Sequence, residues 1–400
     1  MAQGSAVGID EGSRLFQRQR VRKGAAGIFA ASLACLQPGI DPVFLTLLSA
    51  AHAVNPVNHG WIVGATQSGM ALGSLVVLRL GSRIPWLLFP LAALVALLAS
   101  LTTASIGQIA ALLPIRGCYG FGMGIIYTHC MSSAAAWRPN GAYGAVFLIQ
   151  LVLSTVVALI LPAVASSSGP ALALAMLAFV PVAALIVLLL SARLALPGPA
   201  GMSLLPDADE RHPTDAAGWA LALASLLFIC TTMMVWSFTG ALATAAHISE
   251  AVIGRAVAIG SVAGAITALF VMREKPVVPL PLTGLLAGLS LLAPIVAIPG
   301  GQAMPFILSV ILLNIGSTAI IIRCSGMATA RSRDPLFRRL VAFTHSGGMI
   351  LGPATGSVLT STLGPAGLED GAILAIVAGC AALLFAAVRS SAAGDGTVPI

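Results

Sequence analysis

The chain has 400 residues, 58% of them hydrophobic and only 8% charged, with a mean hydropathy of +1.00 and a formal net charge of +7. A soluble chain of this length would carry roughly a quarter charged residues. This one cannot cover a water-facing surface and reads as a polytopic membrane protein. Its basic excess would point to nucleic acid in a soluble fold, but here the basic residues sit in short loops between apolar runs, which argues against a nucleic-acid partner.

Residues 1–23 form a polar segment that ends in Arg14, Arg18, Arg20, Arg22 and Lys23. An apolar stretch long enough to span follows, with no small-residue cleavage pattern, so no cleavable signal is expected. About twelve apolar runs follow, each near the ~20 residues that cross the hydrocarbon as a helix. The first six lie at 24–50, 60–78, 86–103, 107–134, 142–164 and 170–192, and predict an N-terminal six-helix bundle over 24–193. A hydrophilic stretch at 194–217, rich in Pro, Gly and acidic residues, predicts a linker. The second six lie at 218–245, 251–272, 277–298, 304–326, 339–360 and 371–388, and predict a C-terminal bundle over 218–389 with a tail at 390–400.

Charge sets the orientation. Arg79 and Arg83 follow the second run, Arg138 the fourth, Arg193 and Arg211 the sixth, and Arg273 and Lys275 the eighth. Arg331, Arg333, Arg338 and Arg339 lie between the tenth and eleventh, and Arg389 ends the twelfth. All fall on the same side as the basic N-terminal segment, and opposite loops such as "HAVNPVNHG" and "IPGGQAM" contain no Lys or Arg. Basic residues stay cytoplasmic, so both termini are expected there, in the plasma (inner) membrane. The six cysteines all lie within predicted spans with no CxxC pair, which speaks against a disulfide framework or a metal site. No cofactor is expected.

The halves echo one another. "GIIYTHCMSSAAAWRP" closes the fourth run and "AIIIRCSGMATARSRDP" the tenth, and six-plus-six repetition is a recurrent transporter plan. In the fourth run, Arg116-Gly-Cys-Tyr119-Gly120-Phe-Gly122-Met-Gly124 resembles the fourth-helix motif of the major facilitator superfamily, and the resemblance of helix count and central loop covers nearly the whole chain. It implies an all-α fold of twelve transmembrane helices, in two six-helix pseudo-repeat bundles around a central cavity. In the proton-coupled drug exporters of that family the motif's arginine is a coupling residue. Two motifs depart from the family. Gly348-Met-Ile-Leu-Gly352-Pro353-Ala-Thr-Gly356 resembles the antiporter signature but lies in the eleventh run, whereas the fifth run has no glycine over "FLIQLVLSTVVALILPAVA". The loop after the second run keeps Arg79, Gly81 and Arg83 of the family's gating loop but has Leu78 in place of its aspartate.

Ionisable side chains inside a span are costly and mark function. Here they are Asp41, Arg116, His129, Arg255 and His345. Arg116 lies about ten residues into its run, roughly 15 Å deep, which puts it near the depth of Asp41 in the outer half of the first. The two are expected to pair, either as a proton-coupling site or as a static bridge. Pro38 and Pro42 flank Asp41, and each frees a carbonyl one turn back. Tyr119 and Tyr127 share a helical face with Arg116 and are candidate cavity residues. Gln67, Gln150, Trp236, Asn314 and His345 are further candidates, with interhelical hydrogen bonding or core packing as the alternative. Gly120, Gly124, Gly352 and Pro353 are assigned to packing or gating, as are Arg79 and Arg83. Arg255 is expected to pair with Glu250.

These features predict a secondary active transporter of a small organic solute, monomeric in the bilayer. It would work by alternating access and be proton-coupled, with the Arg116 motif leaning to export and the missing fifth-helix signature leaving uptake open. A membrane-embedded enzyme is the reading of another class, but the chain has no metal-binding His pair or nucleophile elbow to support one.

Overall fold

The computed structural model describes residues 24–55, 58–136, 138–193, 214–273 and 278–392. The expected N-terminal segment 1–23, the linker and tail over 194–213 and 393–400, and Lys275 lie outside them. Among the described residues the chain is helical, with no strand. This is what a hydrocarbon environment demands, because a helix satisfies every backbone polar group within its own segment.

The first predicted span is two helices, α1 at residues 24–34 and α2 at Gln37–His52. Helical bonding lapses just before Pro38, and the arms Gly24–Asp41 and Val43–His52 are inclined by 66°, as expected where prolines remove backbone donors. Then come α3 (His59–Leu80), α4 (Leu88–Thr103), α5 (Ile109–Ala135) and α6 (Pro139–Ser168). The sixth span is split into α7 (Pro170–Met176) and α8 (Phe179–Arg193), with the break one turn before Pro181. The second half comprises α9 (Ala216–Ala245), α10 (Glu250–Val271), α11 (Leu280–Ala297), α12 (Ala303–Ala330), α13 (Pro335–Leu363) and α14 (Pro365–Ala392). Each predicted span thus has its helix or helix pair, and α12, α13 and α14 run past their predicted ends. The expected linker also ends sooner, since α9 starts at Ala216.

Nine of these helices, counting α7–α8 as one, are long and apolar enough to cross a membrane, and the bent first pair makes a tenth. α4 has 16 residues, about 24 Å at helical rise. α13 has ample length at 29 residues, but its Gly, Ser, Thr, His and Arg content makes it the more polar. Large apolar side chains such as Leu98, Leu159, Leu289, Val296 and Leu374 point outward, where lipid rather than water is their natural neighbour.

Within the first half, α5 packs on α3, α4 and α6. Within the second, α12 packs on α10, α11 and α9, and α9 on α13 and α14. The halves meet along two seams, α6 against α10 and α12, and α13 against α3 and α5. Small residues make the closest crossings, as in membrane bundles generally. A Cβ on Gly120 would lie 1.9 Å from the Thr66 carbonyl oxygen, and one on Gly124 2.0 Å from that of Met70, so α3 and α5 touch backbone to backbone. A Cβ on Gly352 would lie 2.3 Å from the Cys230 carbonyl oxygen. Gly352 therefore packs α13 on α9 within the second half.

The arginines of the short loops gather at one end, called here the basic end. There Arg331 pairs with Asp215 at 2.7 Å and also bonds Ser390, and Thr214 donates to Ser332 at 2.7 Å. The start of α9 is thereby tied to the α12–α13 turn.

Candidate functional site

Three helices bring the ionisable centre together. On α2, Gln37, Asp41 and Phe44 recur at four- and three-residue steps and so share a face. Gln37 Nε2 donates to Asp41 Oδ1 at 2.7 Å. On α5, Arg116 and Tyr119 are three residues apart. The Arg116 guanidinium carbon lies 4.5 Å from the centre of the Phe44 ring and 4.4 Å from that of Tyr119. Its Nε donates to Thr66 Oγ1 of α3 at 3.1 Å. The glycine of the motif explains this contact, because only the absence of a Cβ at Gly120 lets Thr66 come so close to α5.

The expected direct pair is not formed. Asp41 and Arg116 act on each other through space, but they do not come within the 4.0 Å of an ion pair. Matched depth does not fix the rotation of two helices about their axes. Arg116 turns instead to two aromatic faces, an arrangement worth on the order of 2 kcal/mol when desolvated. Arg116 is 2% exposed, and its Nη2 has no partner. It is a permanent charge in the protein interior with a donor to spare.

Around this centre the other candidates separate. Gln67, next to Thr66, is buried with both amide atoms unpartnered. Gln150 of α6 accepts from Cys35 Sγ at 3.6 Å and lies beside Ser154, whose Oγ also lacks a partner. A Cβ on Gly39 would meet that Oγ at 2.2 Å, so α2 and α6 are in close contact two residues from Asp41. Asn314 of α12 donates to the Val310 carbonyl at 2.9 Å and packs on Gly260 of α10. Trp236 is half-buried against apolar neighbours in the second half. No described contact joins Asn314 or Trp236 to Arg116. The predicted Arg255–Glu250 pair lies outside the description, which does not include the Glu250 side chain.

A second cluster sits nearer the basic end, between the halves. The His345 ring of α13 lies 5.2 Å from the Tyr127 ring of α5 and 5.5 Å, edge to face, from the Phe147 ring of α6. Next to it, Ser346 and Ser74 of α3 share a hydrogen bond of 2.9 Å. Further out, Gly326 of α12 meets Asn140 of α6, Gly144 of α6 meets Met272, and Gly81 meets the Arg339 guanidinium. Arg79 and Arg83 flank Gly81 and are themselves exposed. The halves are therefore closed on each other at the basic end.

Sequence reasoning passed over Arg323. It is 8% exposed on α12 and bonds Thr283 and, at 2.6 Å, the Val278 carbonyl at the start of α11. His129 is its counterpart in the echo, and each immediately precedes a cysteine. His129 stacks on Phe89 of α4 at 4.0 Å. The usable signal was thus the alignment of "THC" with "IRC". Among the described residues no three His, Cys, Asp or Glu side chains are grouped to hold a metal ion.

No protein-family model matches the chain, and no curated protein does. Among solved structures, the human organic anion transporter MFSD10 (TETRAN) superposes with a TM-score of 0.65 at 14% identity, over 92% of this chain and 99% of that one. The chain therefore shares the overall fold of that transporter.

Proposed function

We propose that the protein is a secondary active transporter that carries a small organic solute across the plasma (inner) membrane by alternating access of its two six-helix bundles. The observation that carries this reading is Arg116, a buried charge with an unpartnered Nη2 at the meeting of α2, α3 and α5, in a chain whose halves meet at the basic end. Intramembrane charges are retained for function. An unmatched guanidinium between two aromatic rings favours a solute that carries an anionic group on an apolar body. The human neighbour is itself named for organic anions.

Asp41 is the proton-coupling group on this reading. It feels the field of Arg116 without contacting it, so an arriving anion and a departing proton compete for the same positive potential. The Arg116 motif leans the direction toward export. The excess of arginine at the basic end puts that end, and both termini, in the cytoplasm. The protein acts as a monomer in the bilayer, the solute and protons being its other partners.

The test is flux in proteoliposomes across an imposed pH gradient, with a panel of aromatic and aliphatic carboxylates. The expected result is saturable movement of at least one anion driven by the gradient. In Asp41→Asn gradient drive is lost and exchange persists. An absence of flux above protein-free vesicles would remove the transport reading. Driven flux that survives Asp41→Asn would remove the coupling role.

A further inference from the structure

We infer that His345 is a second proton-binding residue, and that its protonation opens the closure at the basic end. This goes beyond the reading above, since it concerns neither the solute nor the Asp41–Arg116 centre, and it holds whichever solute is carried.

His345 belongs to the second half, but its ring is lodged between two aromatic rings of the first, Tyr127 and Phe147. It is 7% exposed, and neither Nδ1 nor Nε2 has a hydrogen-bond partner. A neutral imidazole fits this setting as an aromatic wedge. An imidazolium does not, because it would carry two donors and a full charge with no acceptor in reach.

The two rings would offer an imidazolium a cation–π attraction of about 2 kcal/mol. That is short of the several kcal/mol that taking a charge out of water costs, and no other group around it supplies an acceptor or a negative charge. α5 presents Tyr127, while its His129 is turned away to Phe89. α6 presents Phe147 and, one turn away, Tyr143, whose hydroxyl faces Thr329 of α12. α3 presents Ser74, and its Arg79 is exposed further out. α9 meets this turn of α13 through Ser225, 3.5 Å from Thr344. On α12 the charge is Arg323, engaged with α11. On α14, Glu369 and Asp370 are exposed at the opposite end and Arg389 lies over Phe385. The charges on α13 itself are Arg338 and Arg339, about two turns nearer the basic end, with Asp334 beyond them. The nearest charges on its own helix thus have the sign that opposes protonation.

Protonation and closure are therefore mutually exclusive. The proton is accepted only when the seam parts and water reaches the ring, and by linkage protons favour the parted state. The same layer holds other buried groups without partners, Thr128 Oγ1 and Asn140 Oδ1. Each unmet group costs roughly 1–3 kcal/mol and is satisfied once water enters. The closure is thus held with little margin, and one proton suffices to bias it.

The experiment is a distance measurement between spin labels at Ser133 and Ala330, exposed positions at the basic ends of α5 and α12, in purified protein whose six native cysteines have been replaced. From pH 8.5 to 5.5 the long-distance population of the otherwise unaltered protein should grow at least about tenfold. His345→Phe keeps the wedge but takes no proton, and should stay short at every pH. His345→Gln gives a second non-protonating reading should the larger ring disturb folding. His345→Lys should be long throughout. An unaltered protein that ignores pH overturns the inference. So does a pH response that survives in His345→Phe and His345→Gln, because the proton then acts elsewhere, with Asp41 the first place to look.

Discussion

Gly326→Ala should move the protein out of the conformation described above without unfolding it. A Cβ at position 326 would lie 2.0 Å from Asn140 Oδ1, 2.9 Å from its Cγ and 2.8 Å from its Cα. The amide can rotate away, but the Cα cannot, so the start of α6 has to retreat from α12. Overpacking of this kind costs about 1–3 kcal/mol. Gly326 and Asn140 belong to different halves, so the clash exists only while the basic end is closed. The cost is then a difference between states, equivalent to a shift of roughly 5- to 150-fold toward the parted one. The assay is the rate of maleimide labelling of a cysteine at Thr329, one turn beyond Gly326 and 2% exposed, in a cysteine-free background. Labelling should rise by that factor at an unchanged melting temperature. The control is Gly316→Ala, whose Cβ would meet Ser290 and Ala287 within the second half. It should lower stability in both states and leave the labelling ratio alone. Equal labelling of Gly326→Ala and the parent, or an equal rise in the control, would refute a state-specific contact.

Two further outcomes follow from packing and charge. Gly120→Ala places a Cβ 1.9 Å from the Thr66 carbonyl oxygen and 2.9 Å from the Met70 nitrogen. It should force α3 from α5 inside one half and cost a few kcal/mol, read as a lower melting temperature and a loss of Arg116-dependent binding; an unchanged melting temperature would mean that the crossing gives way freely. Cysteines placed at Asn58 and Ser391 should report opposite faces, with an impermeant reagent reaching only the former in intact cells. Labelling of Ser391 from outside would reverse the orientation read from the arginines.

The local properties of the chain determined where helices form and how they alternate. Apolar run length and one-sided arginine are decided residue by residue, and each predicted span has its helix or helix pair. The bend in the first span was legible too, since Pro38 and Pro42 act through their own missing N–H groups, whereas the sixth span was read as one run and is split before Pro181. Gly352 was read as a gating or packing position, and its place against Cys230 of α9 puts it at a helix crossing.

Tertiary structure decided what each buried polar group meets. Arg116 and Asp41 are at matched depth, yet Arg116 stacks on Phe44 and Tyr119 and bonds Thr66. Depth follows from counting at 1.5 Å per residue, whereas contact depends on the rotation of each helix, which the Gly120–Thr66 crossing sets. Arg323 lay three residues inside a predicted span end and was passed over, and α12 runs on to Ala330 and buries it. His345 was legible only as a lone intramembrane histidine. Its wedging between Tyr127 and Phe147 joins residues some two hundred positions apart, and no local pattern specifies which side chains two packed halves will press together.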